Sequence, residues 1–237
     1  MIAFERSLIC AVLAWLCLLP GSADARTRFE SVPAYVKSLL DGGADIVSCS
    51  VVTPARSKLS CEEAHRLKPA PGAFVFGFVR ARGPDASEES TFAFILRASP
   101  DGSMAPAAHS MIQSGGRWTV FESAELDAPS DTQFRVRLVG GGRASEPSSY
   151  DYTISLHRGQ WVVAHAAVLR IERCSEDAFA ETEYQLNYLT GSLRWSRYEN
   201  CKPAPARTHT IPPRVVPLAR FELMDSGNDP VKYMGGH

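Results

Sequence analysis

The side chains able to do acid–base or nucleophilic chemistry are scattered along this chain rather than grouped. Its six histidines are His65, His109, His157, His165, His209 and His237. A hydrolase elbow would read Gly-x-Ser-x-Gly between a strand and a helix, and that pattern is absent. Distant residues can still meet in three dimensions, but six scattered histidines without a nucleophile motif read as structural or solvated groups. Carboxylates occur in pairs. Glu62-Glu63 suits helix capping, and Glu88-Glu89 falls in a polar loop. Glu181 and Glu183 share one strand face, the arrangement a glycosidase pair uses. Acid–base work would require surroundings that raise one of the two pKa values. Nothing in the flanking sequence supplies them, so the pair reads as solvated. Gly140-Gly141-Gly142-Arg143 has glycines and a cation but lacks the Gly-Lys-Ser/Thr ending and helix of a phosphate loop. No catalytic residue and no cofactor is therefore expected.

The cysteines carry a different chemistry. Cys10 and Cys17 lie in a leader: Arg6, then an apolar run from Leu8 to Leu19, then Pro20-Gly21 and Ser22-Ala23-Asp24-Ala25. That is the layout of a secretory signal peptide with an Ala-x-Ala cleavage site after Ala25. The run is shorter than the roughly 20 residues of a spanning helix. Ile9 and Leu16 are too large to precede a lipid-modified cysteine. A periplasmic or secreted product beginning near Arg26 is the expectation, with no stable membrane insertion once the leader is removed. Cys49, Cys61, Cys174 and Cys201 remain, an even number in an exported chain, which reads as disulfides. Three connectivities are possible. Cys49–Cys61 and Cys174–Cys201 are preferred, because each closes a local loop. Metal is not expected, since the short Cys-x-x-Cys and His-x-x-x-His spacings are missing.

Charge excludes some partners. The chain has 25 Lys+Arg against 26 Asp+Glu. The leader holds one basic residue (Arg6) and two acidic ones (Glu5, Asp24), so the remainder is formally neutral. Nucleic acid or an anionic membrane surface would call for a basic stripe, and none is present. The organisation expected is a signal peptide over 1–25, one β-rich domain over 26–224 and a frayed tail over 225–237.

The elements that must position these groups are mostly strands. Ser31-Val32-Pro33 starts a short helix, with Ser31 as cap and Pro33 in the first turn. Tyr35, Val36, Leu39 and Leu40 form its apolar stripe, and Gly42-Gly43 stops it. A strand follows over 46–53. Ser60-Cys61-Glu62-Glu63 fits a capping box and predicts a one- or two-turn helix over 61–67. After residue 70 the pattern has period two. Phe74, Phe76 and Phe78 alternate; so do Phe92, Phe94 and Leu96. Phe134, Val136 and Leu138 alternate with Arg135 and Arg137, and Tyr150, Tyr152, Ile154 and Leu156 with Asp151, Thr153, Ser155 and His157, which places His157 outward. Tyr184, Leu186 and Tyr188 repeat the rule. Arg158-Gly159 and Thr190-Gly191 sit at tight turns. The proline-rich tail, with Val215, Val216, Leu218, Phe221 and Leu223, reads as an extended strap docked on the core.

A faint repeat runs through the strands: Gly, any residue, aromatic, any residue, Val or Phe, at Gly72–Phe76, Gly116–Val120 and Gly159–Val163. Its spacing matches a propeller blade, although three units are few for a closed propeller. The fold class expected is mainly β. It is either an antiparallel sandwich or an incomplete propeller-like arrangement of three-stranded units, with one or two short N-terminal helices.

The connection from Gly140 to Ser149 is longer than a usual hairpin loop. It carries Arg143, Glu146, Ser148 and Ser149, and Tyr150 opens the next strand. Loops on rigid β scaffolds are common binding devices, and Tyr and Arg are frequent interface anchors. Arg143 and Tyr150 are the candidate binding residues.

Gly159-Gln160-Trp161-Val162-Val163, then Tyr184-Gln185-Leu186-Asn187-Tyr188-Leu189-Thr190-Gly191, then the proline strap, resemble the C-terminal part of a loose group of uncharacterised bacterial periplasmic proteins. The resemblance covers about residues 150–220. Some proteins of similar build are periplasmic lysozyme inhibitors or immunity proteins against secreted cell-wall hydrolases, and some present a loop to the enzyme's cleft. No inhibitory residue of theirs is carried over. The resemblance implies a non-catalytic periplasmic module that binds another envelope or secreted protein. The alternative is a cell-envelope enzyme acting on peptidoglycan or glycans. That reading requires a cleft holding two of Glu181, Glu183, Asp151 and His157 with a perturbed pKa.

Overall fold

A computed structural model describes residues 27–40, 44–83, 89–114, 121–140, 147–173, 179–196, 198–199 and 201–223. The expected signal peptide, Arg143, Cys174 and the tail 225–237 lie outside the described residues. The helix α1 (Val32–Leu39) comes first. A six-stranded antiparallel sheet follows, formed by β1 (Asp45–Thr53), β2 (Arg56–Ser60), β3 (Phe74–Arg82), β4 (Glu89–Ala98), β5 (Met104–His109) and β6 (Gln113–Ser114). Its order is β2-β1-β3-β4-β5, with β6 also on β4. Then come β7 (Phe121–Ser130), β8 (Gln133–Gly140), β9 (Pro147–His157), β10 (Gln160–Arg173), β11 (Phe179–Asn187) and β12 (Ser192–Ser196). The short hairpin β13 (Tyr198–Glu199) and β14 (Lys202–Pro203) precedes β15 (Arg207–Thr210). The second sheet has seven strands in the order β15-β12-β11-β10-β9-β8-β7. Its neighbours are all antiparallel, and from β7 to β12 they are successive in sequence, which is the pattern of a sandwich half. β3 and β10, which open the first and third units of the faint repeat, lie in different sheets. Of the two architectures expected, the described strands form the antiparallel sandwich.

Both faces of the six-stranded sheet are buried, and the sequence of its central strands shows why. From Phe74 to Val79 and from Phe92 to Leu96 every residue but Gly77 is apolar, as in strands covered on two sides. Phe76, Phe78, Ala93 and Ile95 face the second sheet, while Val75, Val79, Phe92, Phe94 and Leu96 face α1. The two aromatic alternations of the sequence thus point to opposite layers. Gly77 sits directly opposite Phe94 in register, and the Phe94 ring occupies the space a Cβ at Gly77 would need. Helix α1 covers this outer layer with Val32, Tyr35 and Val36. Ser31 caps it, its Oγ accepting from the Ala34 N–H at 3.4 Å.

The capping box also forms. The Glu63 N–H donates to Ser60 Oγ at 3.2 Å and Glu63 Oε2 accepts from the Ser60 N–H at 3.0 Å. It starts a 3-10 turn over Glu63–Arg66, shorter than the helix expected over 61–67. The disulfide Cys49–Cys61 ties that turn to β1, with Cα atoms 5.3 Å apart. Cys201 is also disulfide-bonded. One expectation fails here. Glu89 is not in a polar loop but begins β4 and is buried, held by a two-pronged contact from Arg80 at 2.8 and 2.8 Å. A buried carboxylate persists when a guanidinium neutralises it.

In the seven-stranded sheet β8 alternates along its length, and so does the facing part of β9. Phe134, Val136, Leu138, Tyr152 and Ile154 enter the inter-sheet core, with Arg135 and Arg137 turned outward. Arg158 and Gly159 have φ of 50° and 80°, the paired positive values of a hairpin turn whose twist suits its strands. The strap crosses the sandwich. The Ile211 N–H donates to Gly191 O (2.8 Å), the Val163 N–H to Val216 O (2.9 Å) and the Met111 N–H to Phe221 O (3.0 Å), which joins both sheets. Leu218, Phe221 and Leu223 are fully buried between them, whereas Val215 faces solvent.

Candidate functional site

The side chains on the outer face of the seven-stranded sheet follow from strand register. One cross-strand row reads Glu125, Arg137, Asp151, Ala167, Gln185, Arg194 from β7 to β12. The next reads Asp127, Arg135, Thr153, His165, Asn187, Ser192. A third includes Val139, Ser149, Leu169 and Glu183. Side chains in adjacent rows of one face are near enough to interact.

His165 reaches this face because of a bulge. Trp161 and Val163 point into the core, and strict alternation would send His165 after them. The register shifts between Val163 and His165, leaving Ala164 as the extra residue. Beyond it Ala166 and Val168 point inward, and His165 and Ala167 outward. Bulges re-aim side chains in this way.

Ala167 is the small residue among long ones, so the face dips over it. The hollow, about 280 Å³, is lined by Arg135, Arg137, Ser149, Asp151, His165, Ala167, Leu169, Glu183 and Gln185. A second hollow of about 270 Å³ adjoins it through Arg135, Arg137 and Asp151 and extends to Glu125 and Asp127. Arg135 reaches Asp151 Oδ2 at 3.4 Å, and Arg137 reaches Glu125 at 3.9 Å. Both arginine side chains are about half exposed, at 50% and 51%. Asp151 Oδ1 is buried and has no hydrogen-bond partner among the described residues. The His165 pKa is lowered, chiefly by burial; Asp151 opposes this, Arg135 adds to it and Glu183 opposes it. The imidazole is therefore neutral at neutral pH.

Among the described residues no three His, Cys, Asp or Glu side chains are placed to hold a metal ion. No helix among them is long and apolar enough to cross a membrane. Of the residues singled out in the sequence, Asp151 and Glu183 come together in the hollow; Glu181 and His157 do not line it. Glu181 shares the outer face one position further along β11, opposite Ile171. Tyr150 sits on the inner face of β9, half-buried against the inter-sheet core and stacked on Tyr152 at 6.1 Å. Arg143 lies outside the described residues. The sequence reading missed Arg135, Arg137 and His165. The outward alternation of Arg135 and Arg137 was a signal for the first two. The Asn-x-x-Thr-Gly segment is turn chemistry: Asn187 Oδ1 accepts from the Thr190 N–H at 3.0 Å, and Gly191 has φ of 72°. No family model, no curated protein and no solved structure matches this chain.

Proposed function

We propose that this chain is a non-catalytic protein-binding module, exported to the periplasm or beyond, that acts as an inhibitor or immunity protein against a cell-wall hydrolase. Its recognition surface is the outer face of the seven-stranded sheet. The observation that supports this reading is the pair of half-exposed guanidiniums, Arg135 and Arg137, side by side among carboxylates on the outer face of the sheet. Arginines on a rigid scaffold are common interface anchors. The hollow is shallow and polar, whereas small-molecule sites are mostly deep and apolar. The disulfide Cys49–Cys61 suits an oxidising compartment.

The test is capture. The oxidised chain is immobilised, envelope and secreted extracts are passed over it, and bound proteins are identified by mass spectrometry. A stoichiometric cell-wall hydrolase whose lytic activity falls on adding the chain is the expected result. Absence of any bound protein would contradict the reading.

A second reading, an envelope enzyme acting on peptidoglycan or glycans, draws on the presence of Asp151, Glu183 and His165 in one hollow. It requires release of soluble fragments from purified peptidoglycan, abolished by Asp151→Asn. Peptidoglycan left intact by the chain would end it.

A further inference from the structure

A sheet edge presents a row of main-chain N–H and C=O groups that can bind a strand laid beside them, and β proteins blunt such edges. The outermost strands of the two sheets are β2, β5, β7 and β15. At β2 the Ser60 N–H donates to Glu63 Oε2 at 3.0 Å. At β5 the Met104 N–H and carbonyl are both taken by Phe29, and Pro106 has no N–H to offer. At β7 the Lys58 ammonium reaches across from β2 and donates to Ala124 O at 2.6 Å. The β15 edge has no such device among the described residues. The Ile211 N–H donates to Gly191 O, in line with the pairing of β15 on β12. By alternation the main-chain groups of Arg207 and His209 bond β12, and those of Thr208 and Thr210 point away from it. Neither threonine has a main-chain partner on that side. All four residues of β15 are exposed.

We propose that the β15 edge accepts an extended, acidic segment of a partner protein as an eighth strand of the seven-stranded sheet. This goes beyond the reading of the outer face and stands without it. An extended chain is the occupant because it alone presents donors and acceptors in the alternation that Thr208 and Thr210 require. Threonine favours the strand conformation, so the edge is already shaped for pairing. The charge of the occupant follows from the flanks. β12 and β15 together carry Arg194, Arg207 and His209 and no carboxylate. Arg194 is opposite Thr208 in register, exposed, and in no ion pair among the described residues. Its side chain is long enough to pass Thr208 and meet a carboxylate on the added strand. A second copy of this chain is a poorer occupant. Pro205 and Pro212 bracket the strand, so two β15 edges would bury far less than the roughly 1,200 Å² of a stable interface. Their pairing would also bring two basic edges together.

The test uses the full oxidised chain and a hexapeptide of alternating valine and glutamate with blocked ends. Two control peptides accompany it: one has lysine in place of glutamate, and one is N-methylated throughout, which keeps the charge and removes the donors. Hydrogen exchange of the Thr208 and Thr210 amides, read by nuclear magnetic resonance, reports strand addition. Expected is fast exchange in the chain alone, saturable protection by the glutamate peptide and none by either control. Thr208→Pro removes an N–H that β12 does not use, and is expected to weaken peptide binding about tenfold. Arg194→Glu leaves the main chain intact and is expected to weaken the glutamate peptide and admit the lysine one. Slow exchange of both amides in the chain alone, no protection by the glutamate peptide, or equal binding of the N-methylated peptide would overturn the site. Undiminished binding by both folded variants would do the same. Concentration-dependent dimerisation abolished by Thr208→Pro would give the edge to a second copy and overturn the proposed occupant.

Discussion

Burial disfavours a proton on His165, and this has a consequence for stability with a definite sign. The unfolded chain takes up a proton near the ordinary histidine value, about 6.5, whereas the folded chain does so only at lower pH. Between those two values the unfolded state binds more protons, so stability falls as pH falls through that window. His165→Gln is expected to flatten this slope in denaturant titrations from pH 7 to pH 5; an unchanged slope would remove His165 as the cause. Gly77 gives a second residue-scale expectation. A Cβ there would fall within the space of the Phe94 ring. Gly77→Ala must displace a fully buried aromatic, and overpacking of this kind costs about 1–3 kcal/mol. A midpoint of chemical denaturation equal to that of the native chain would show that the ring moves freely.

At the level of elements, the bulge at Ala164 decides which face His165 occupies. Deleting Ala164 removes the extra residue, so Trp161, Val163, Ala166 and Val168 keep the core face in one unbroken alternation, with His165 and Ala167 outward. The deletion is therefore expected to retain a cooperative thermal transition seen by circular dichroism, and loss of that transition would deny Ala164 its role as the extra residue. This is also where the sequence stops being legible. Alternation shows through β8 and, from Ser149 on, through β9 because each keeps one phase there, so the outward positions of Arg135, Arg137 and Asp151 are readable. β10 changes phase midway at an alanine, a residue with no signature for a bulge. The caps at Ser31 and Ser60 were readable for the opposite reason, since each depends on side chains within three residues. Glu89 misled because its partner, Arg80, lies across a strand pairing that no local pattern reveals.

On the scale of the whole molecule, the strap makes the two sheets one unit. Phe221 is fully buried, packs edge-on to Tyr152 at 5.2 Å, and its carbonyl accepts from Met111 in the connection that follows β5. Truncating a buried Phe typically costs about 3–5 kcal/mol. Phe221→Ala is expected to lower the stability of both sheets together, read as coincident loss of near- and far-ultraviolet circular dichroism. The mainly β class and the docked strap could be read from the sequence, because both depend on apolar periodicity. The hollow could not, because it exists only where four strands, β8 to β11, bring their outer faces into register around Ala167. The most direct measurement of the central claim is the affinity of the captured partner for the native chain against Arg135→Ala/Arg137→Ala, with Arg28→Ala, remote from the seven-stranded sheet, as the control. A loss of at least about tenfold, or roughly 1.4 kcal/mol, in the double variant alone is expected. Equal affinity in all three would contradict the assignment of binding to this face.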